Sequence, residues 1–311
     1  MDSEIVKYRA GNKIDTFLHN AIDTHCHSFP EMSLDLQMSV EDIEAVRIAQ
    51  GMGMRGIVLK SHWWPTIGKV YELQRLAPDI KLFSSVTLNP CVGGMEPWVI
   101  ESAAKQGASL VFMPTWSTVE AVSAGWKPHH WKKELPTLER YFTSSQGVEI
   151  IDAQGRLTSK TAEVIRLVKE FDLTLSTGHL TVRESYAVAE ECQRINLRKL
   201  VFGHPLTPKV PPLEDLKALV SFGGFIEVCA LSTITTTNIT RLHPDQIIEV
   251  MEALGYQNFI LSSDGFNPWA PPAPEMLRML IGMLVIRGVS DRNIITMVQE
   301  NPAKLLGLDV L

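Results

Sequence analysis

Ala21-Ile22-Asp23-Thr24-His25-Cys26-His27 runs from an apolar start to a polar end within one short stretch. In an extended strand, residues i and i+2 share a face, so His25 and His27 point one way and Cys26 the other. Runs of the same kind recur further along: Arg55 to Lys60, Ile80 to Leu88, Ala108 to Met113, Leu173 to Thr177, Lys199 to Phe202, Gly224 to Cys229 and Asn258 to Ser262. Each is short and continuous, the pattern of strands buried on both faces. Between them lie amphipathic stretches with helical spacing. Ser39 to Val46 opens with a Ser cap and an acidic first turn, and Thr161 to Val168 and Pro244 to Met251 follow the same plan. All but one of the strand-to-strand intervals run to about 25 to 36 residues, the length of a βα unit. Eight such units predict an α/β fold, a closed (β/α)8 TIM barrel forming one domain over residues 1–311, and not an open doubly wound sheet. No Gly-rich dinucleotide or phosphate-loop fingerprint follows any strand.

The exceptional interval, about residues 115–156, holds Trp116, Trp126, His129, His130 and Trp131. It is too long for a bare loop in a compact domain. It predicts an insertion after strand four, either a lid over the barrel mouth or a plain surface excursion, with a strand at Val148 to Ile151. Pro205 to Pro212 and Asn267 to Pro274 fall just after strands six and eight and read as mouth loops.

Composition bounds the function. The chain has 311 residues, 45% hydrophobic and 21% charged, with a net charge of −6. Its mass is 34.7 kDa, its pI about 5.9 and its mean hydropathy +0.04. These values describe a globular protein with ample core and no electrostatic footprint for nucleic acid. No apolar stretch approaches the ~20 residues needed to span a bilayer, and the N-terminus lacks the apolar core of a signal peptide. Cys26, Cys91, Cys192 and Cys229 form no CxxC pair, which suits a cytoplasmic enzyme.

In a (β/α)8 barrel, chemistry sits at the C-terminal ends of the strands. There the sequence places His25 and His27, Lys60 and His62, His179, His204, Glu227, and Asp264. Two imidazoles at i and i+2 make half of a zinc site. A lone HxH is equally a pair of satisfied core or surface histidines. With His179, His204 and Asp264 at other strand ends, the set suits a borderline-soft divalent metal, zinc first, manganese or another next, as one ion or two. Otherwise each buried group needs its own hydrogen-bond partner.

Together, Asp23-Thr24-His25-Cys26-His27, Ser176-Thr177-Gly178-His179, Phe202-Gly203-His204-Pro205 and Ser262-Ser263-Asp264-Gly265-Phe266 resemble the metal-dependent amidohydrolase superfamily of TIM-barrel hydrolases. The closing Glu300 to Leu308 resembles its final helix, so the likeness spans roughly residues 20 to 311. Polymerase- and histidinol-phosphatase-like barrels also begin with HxH, but they usually carry a late Asp-x-His, absent here. The resemblance implies that His25, His27 and Asp264 bind a more buried metal, and that His179 and His204 bind a second, more exposed one. It also implies a carboxylated Lys or a Glu on strand four as a bridge, and Leu110 to Trp116 offers neither. Lys60 is the nearest substitute, because an uncharged lysine takes up CO2 to become a carbamate. Lys60 is equally a clamp for a substrate carboxylate or a partner of Glu227. His62, on the same face, is a ligand, a proton shuttle, a substrate contact or a structural histidine.

The implied reaction is hydrolysis of an amide, lactone or ester, with phosphoesters open. Asp264 handles the proton of an activated water, and His204 or His62 stabilises the oxyanion. The alternative is a mononuclear decarboxylase or other lyase using His25, His27, His179 and Asp264 with a cationic Lys60. A noncatalytic barrel subunit is a third reading. Trp63, Trp64, Trp116 and Trp269 suggest a small apolar or aromatic substrate, or simply packing. Thr233, Thr235, Thr236 and Thr237 form a hydrogen-bonding or merely polar loop, and Arg183 and Lys209 meet an anion or solvent. The apolar stretch Met276 to Val285 would permit a homo-oligomer.

Overall fold

Each of the eight predicted barrel strands forms, and each pairing between them is parallel. A computed structural model describes residues 12–123, 136, 137, 140, 147–207, 210–233 and 242–311. The strands are β1 (Ile22–Cys26), β2 (Gly56–Leu59), β3 (Lys81–Phe83), β4 (Ser85–Thr87), β5 (Leu110–Phe112), β6 (Thr174–Ser176), β7 (Leu200–Phe202), β8 (Phe225–Cys229) and β9 (Phe259–Ser262). Spatial order follows chain order, as β1-β2-β3 and then β4 through β9. The single run Ile80 to Leu88 is thus two strands, and Thr66 supplies the reason. Its hydroxyl takes the Ser85 amide at 2.8 Å and donates to the Leu59 carbonyl at 2.9 Å, standing between β2 and β4. The ring closes where β9 meets β1, through the Asp264 amide and Ser263 hydroxyl, which donate to the His25 carbonyl at 2.9 and 3.0 Å.

Helices follow most of the strands, and several open on a local start signal. Thr158 caps Ser159–Glu170, and Thr181 caps Val182–Arg194 in a reciprocal box with Glu184. The expected Ser39 cap is displaced. That helix spans Asp42–Gly51, and Glu41 at its N-cap pairs reciprocally with Glu44. The C-terminal helix Asn301–Leu305 follows a π-turn at Thr296–Glu300 and closes the far end of the barrel. The Asn301 amide donates to the Phe259 carbonyl at 2.8 Å, and Leu305 packs with Val201 and Ile260. Ala273–Ile286 buries most of its apolar residues within the chain, including Met276, Leu280 and Leu284. Among the described residues, no helix is long and apolar enough to cross a membrane.

Val148 to Ile151 is not a strand. It makes isolated bridges, Thr118 with Val148 and Ile151 with Leu157. The excursion after β5 therefore leaves and returns at adjacent points, with the Val148 amide donating to the Ser117 carbonyl at 2.7 Å. Trp126, His129, His130 and Trp131 lie outside the described residues, as do Lys209, Thr235, Thr236 and Thr237.

Candidate metal centre

Asp264 sits just past β9 in a left-handed conformation, φ 52°, which non-glycine residues adopt at a cost. The stitch from its amide to β1 carries its carboxylate over the barrel axis. Oδ1 lies 3.1 Å from His25 Nε2 and 3.4 Å from His27 Nε2, and Oδ2 lies 3.9 Å from His204 Nε2. Residues distant in sequence thus converge on one carboxylate. Burial raises the cost of its charge, but His25, His27 and His204 outweigh that and hold its pKa well below the ordinary range.

Behind His25, Nδ1 is 3.1 and 3.3 Å from the two oxygens of Glu227, and Ser262 donates to Glu227 at 2.8 Å. An ionised carboxylate only accepts, so it keeps a proton on Nδ1 and directs Nε2 toward Asp264 and Lys60. In the chain alone, burial works against an imidazolium at His25, yet Asp264 and Glu227 raise its pKa to about 9 against the opposition of Lys60. That second proton occupies the direction a metal ion would take. Lys60 Nζ lies 2.9 Å from His25 Nε2 and 4.6 Å over the Phe112 ring. Burial lowers the Lys60 pKa. The alternative pairing of Lys60 with Glu227 is replaced by the bonds of Glu227 to His25 and Ser262.

Both ring nitrogens of His27, and Nε2 of His204, are buried with no hydrogen-bond partner. Leaving such groups unpaired costs about 1–3 kcal/mol each. A divalent cation would use those lone pairs, and the imidazole and carboxylate donors fit zinc or a similar ion. Burial pushes His27 down to about 3, which keeps its ring neutral and able to coordinate.

Two glycines bring the next pair together. A Cβ at Gly178 would lie 2.5 Å from the Met113 carbonyl, and one at Gly203 2.6 Å from that of Gly178. The ends of β6 and β7 therefore approach closely, and the His179 ring stands edge-on to His204 at 4.5 Å and to Trp116 at 5.2 Å. Burial, reinforced by His204, holds His179 well below its usual pKa.

His62 adjoins this cluster, stacked between His27 at 4.8 Å and Trp116 at 4.5 Å. Its Nδ1 is 2.8 Å from Glu31 Oε1, which also accepts from the His62 amide. Burial opposes the charge of Glu31, yet His62 brings its pKa down to about 2. Glu31 and Cys229 were missed from the sequence. Cys229 had a signal, since it lies two residues past Glu227 on the same strand face. Glu31 follows β1 in a loop, where no periodicity aims a side chain. Of the four tryptophans, Trp63 and Trp116 are buried, while Trp64 and Trp269 are exposed. Arg183 pairs with Glu120 at 3.3 Å, and the Thr233 hydroxyl donates to the Ala230 carbonyl at 2.7 Å.

Solved structures share this architecture at low identity. An amidohydrolase from Pseudomonas aeruginosa aligns at 15% identity and TM-score 0.52, covering 94% of this chain and 98% of that one. The protein described as the probable dipeptidase PvdM, from the same organism, aligns at 12% and 0.60 over 99% and 98%. The organophosphorus hydrolase from Deinococcus radiodurans aligns at 13% and 0.60, covering 93% of each chain. No curated protein matches the chain. These likenesses show the fold, a (β/α)8 barrel, and this chain carries its polar residues at the C-terminal strand ends. The chain belongs to the family of unknown function DUF6282, whose profile matches residues 20–227.

Proposed function

We propose that this chain is a metal-dependent hydrolase that activates water in the barrel mouth to cleave an amide, lactone or ester bond of a small molecule. The carrying observation is the convergence of His25, His27 and His204 on Asp264, with Glu227 fixing the proton of His25. His25, His27 and Asp264 would hold a divalent cation, with His179, His204 and Lys60 as donors for a second, and bound metal would supply Lewis acidity toward water and a substrate carbonyl. Asp264, held ionised, takes a proton from the attacking water and returns it to the leaving group. His204 stabilises the developing oxyanion, and His62 is a second donor for it. Trp116 and Phe266, packed around His62, make an apolar wall that suits an apolar or aromatic substrate. The free cysteines suit a reducing, cytoplasmic setting.

A second reading has two observations in its favour. Lys60 Nζ rests against His25 Nε2, and β5 carries Leu110, Val111 and Phe112 in place of a bridging ligand. A cationic Lys60 and a single ion would suit a decarboxylase or another lyase. With burial lowering its pKa, the same lysine is also chemically able to form a carbamate. Metal content per chain, measured by elemental mass spectrometry on protein purified without chelator, separates these readings. About two equivalents, one of them lost in Lys60→Ala, support the bridged hydrolase. About one equivalent supports the lyase. Absence of tightly bound metal after reconstitution rejects both.

A further inference from the structure

Cys229 ends β8 two residues beyond Glu227, so both side chains take the inner face of the strand, Cys229 nearer the mouth. Its sulfur and the donor atoms of His25 and Asp264 all lie within 4.8 Å of one another. Each of the three residues is more than nine-tenths buried. His27 reaches the same carboxylate, with Nε2 3.4 Å from Asp264 Oδ1 and no hydrogen-bond partner of its own. The sulfur therefore joins two imidazoles and a carboxylate at the candidate metal position. The other cysteines are placed differently. Cys26 and Cys192 are packed in the hydrophobic core, and Cys91 donates to the Trp63 carbonyl at 3.0 Å.

The hydrogen bonds around Cys229 leave its sulfur open to a metal. Ser262 Oγ lies 3.2 Å from Cys229 Sγ and 2.8 Å from Glu227 Oε1. The Glu227 carboxylate only accepts, so Ser262 gives its single proton to Glu227. In the contact with Ser262 the thiol is then the donor, and the sulfur lone pairs receive nothing from that hydroxyl. We propose that Cys229 is a thiolate ligand of the ion held by His25, His27 and Asp264, and that it selects a thiophilic metal. The proposal rests on the hydrolase reading and deepens it. β5, with Leu110, Val111 and Phe112, offers no anionic donor, and Cys229 supplies one from β8. On binding, the S–H bond breaks, a metal–sulfur bond forms and the proton leaves to solvent. Two imidazoles, a carboxylate and a thiolate favour zinc, cobalt or cadmium over manganese or magnesium. Zinc expands to five ligands during catalysis, which leaves a place for water. A purely positioning thiol, serving only as the outer end of the chain through Ser262 and Glu227 to His25, would put no sulfur on the metal.

The test is the absorption spectrum of metal-free protein reconstituted with Co2+, with bound cobalt counted per chain after desalting. A cobalt–thiolate bond gives an intense near-ultraviolet charge-transfer band, distinct from the visible d–d bands of any cobalt site. Wild type is expected to show this band, Cys26→Ser to keep it, and Cys229→Ser to lose it while still binding cobalt. Wild-type cobalt without the band overturns the proposal and leaves the hydrolase reading standing. A band that survives in Cys229→Ser overturns it as well. If Cys229→Ser fails to fold or to bind cobalt, zinc X-ray absorption of wild type decides. A sulfur neighbour at about 2.3 Å is then expected, and a shell of nitrogen and oxygen alone overturns the proposal. Folded wild type that binds no cobalt overturns both the proposal and the hydrolase reading.

Discussion

Asp264 and Glu184 are both buried carboxylates at the same end of the barrel, and their pKa values are displaced in opposite directions. Asp264 faces three imidazoles, which keep it ionised against the cost of burial. Glu184, 1% exposed, lies in the first turn of the helix after β6. Its Oε2 accepts from the Thr181 amide at 2.9 Å, while Glu120 binds the Thr181 hydroxyl nearby. Burial, with Glu120 adding repulsion, pushes Glu184 up to about 7, although its bonds to Thr181 and Thr118 pull the other way. Burial by itself favours the neutral acid, and facing cations or imidazoles restore the carboxylate. A strongly perturbed group is therefore a functional candidate only when its neighbours are read as well. Glu184 is perturbed and structural, whereas Asp264 is perturbed and central.

The contrast can be broken most severely at Asp264. Asp264→Asn keeps the shape and removes the charge on which the imidazoles converge. On any substrate that wild type turns over, kcat/KM is expected to fall by about 10³ or more, roughly 4 kcal/mol of transition-state stabilisation. Unchanged turnover would remove Asp264 from the chemistry. Next in size is Glu227→Gln, which loosens the support behind His25. Metal affinity, read by competition with a chromophoric chelator, should weaken by about 10- to 100-fold. An unaltered affinity would mean that Glu227 serves only packing.

On the structural side, Glu184 predicts a pH dependence with a definite sign. Its folded pKa of about 7 lies above the unfolded value of about 4.3, so the folded state binds this proton more tightly. Its contribution is thus most favourable below the unfolded pKa and is progressively lost as pH rises through 7. Glu184→Gln, which retains the capping geometry, should raise stability at pH 8 relative to wild type by about 2–3 kcal/mol and have little effect at pH 4. Denaturant melts at the two pH values check this, and parallel pH profiles for both proteins would refute it. The smallest effect is expected at the cap itself. Thr181→Ala removes the hydroxyl that accepts from the Glu184 amide at 3.2 Å, for a loss of about 1 kcal/mol by thermal or urea melt.

The legible parts of the molecule were those governed by periodicity. Continuous apolar runs mark strands buried on both faces, so the eight barrel strands were placed, and the residues ending them were placed with them. His25, His27, Lys60, His62, His204 and Asp264 lie together as their strand ends required, and His179 stands against His204. Boundaries decided by single side chains were less legible. Thr66 splits the third barrel strand by taking one backbone amide, and Glu41 displaces Ser39 as a cap because Glu44 can reach back to it. Val148 to Ile151 has strand-like composition, but its neighbours supply only isolated bridges.

From the chain alone one obtains the barrel, its strand order and the set of polar residues at its mouth, because these depend on local hydrophobic period and on the direction of parallel strands. Tertiary structure decides which of those residues meet. It sets Glu227 rather than Lys60 against His25 Nδ1, brings the loop residue Glu31 to His62, and turns Cys229 toward the donors of Asp264. It also decides charge, leaving Asp264 ionised and raising Glu184 to about 7. Contacts and ionisation depend on distances of a few ångströms between segments far apart in sequence, and no periodicity along the chain encodes those distances.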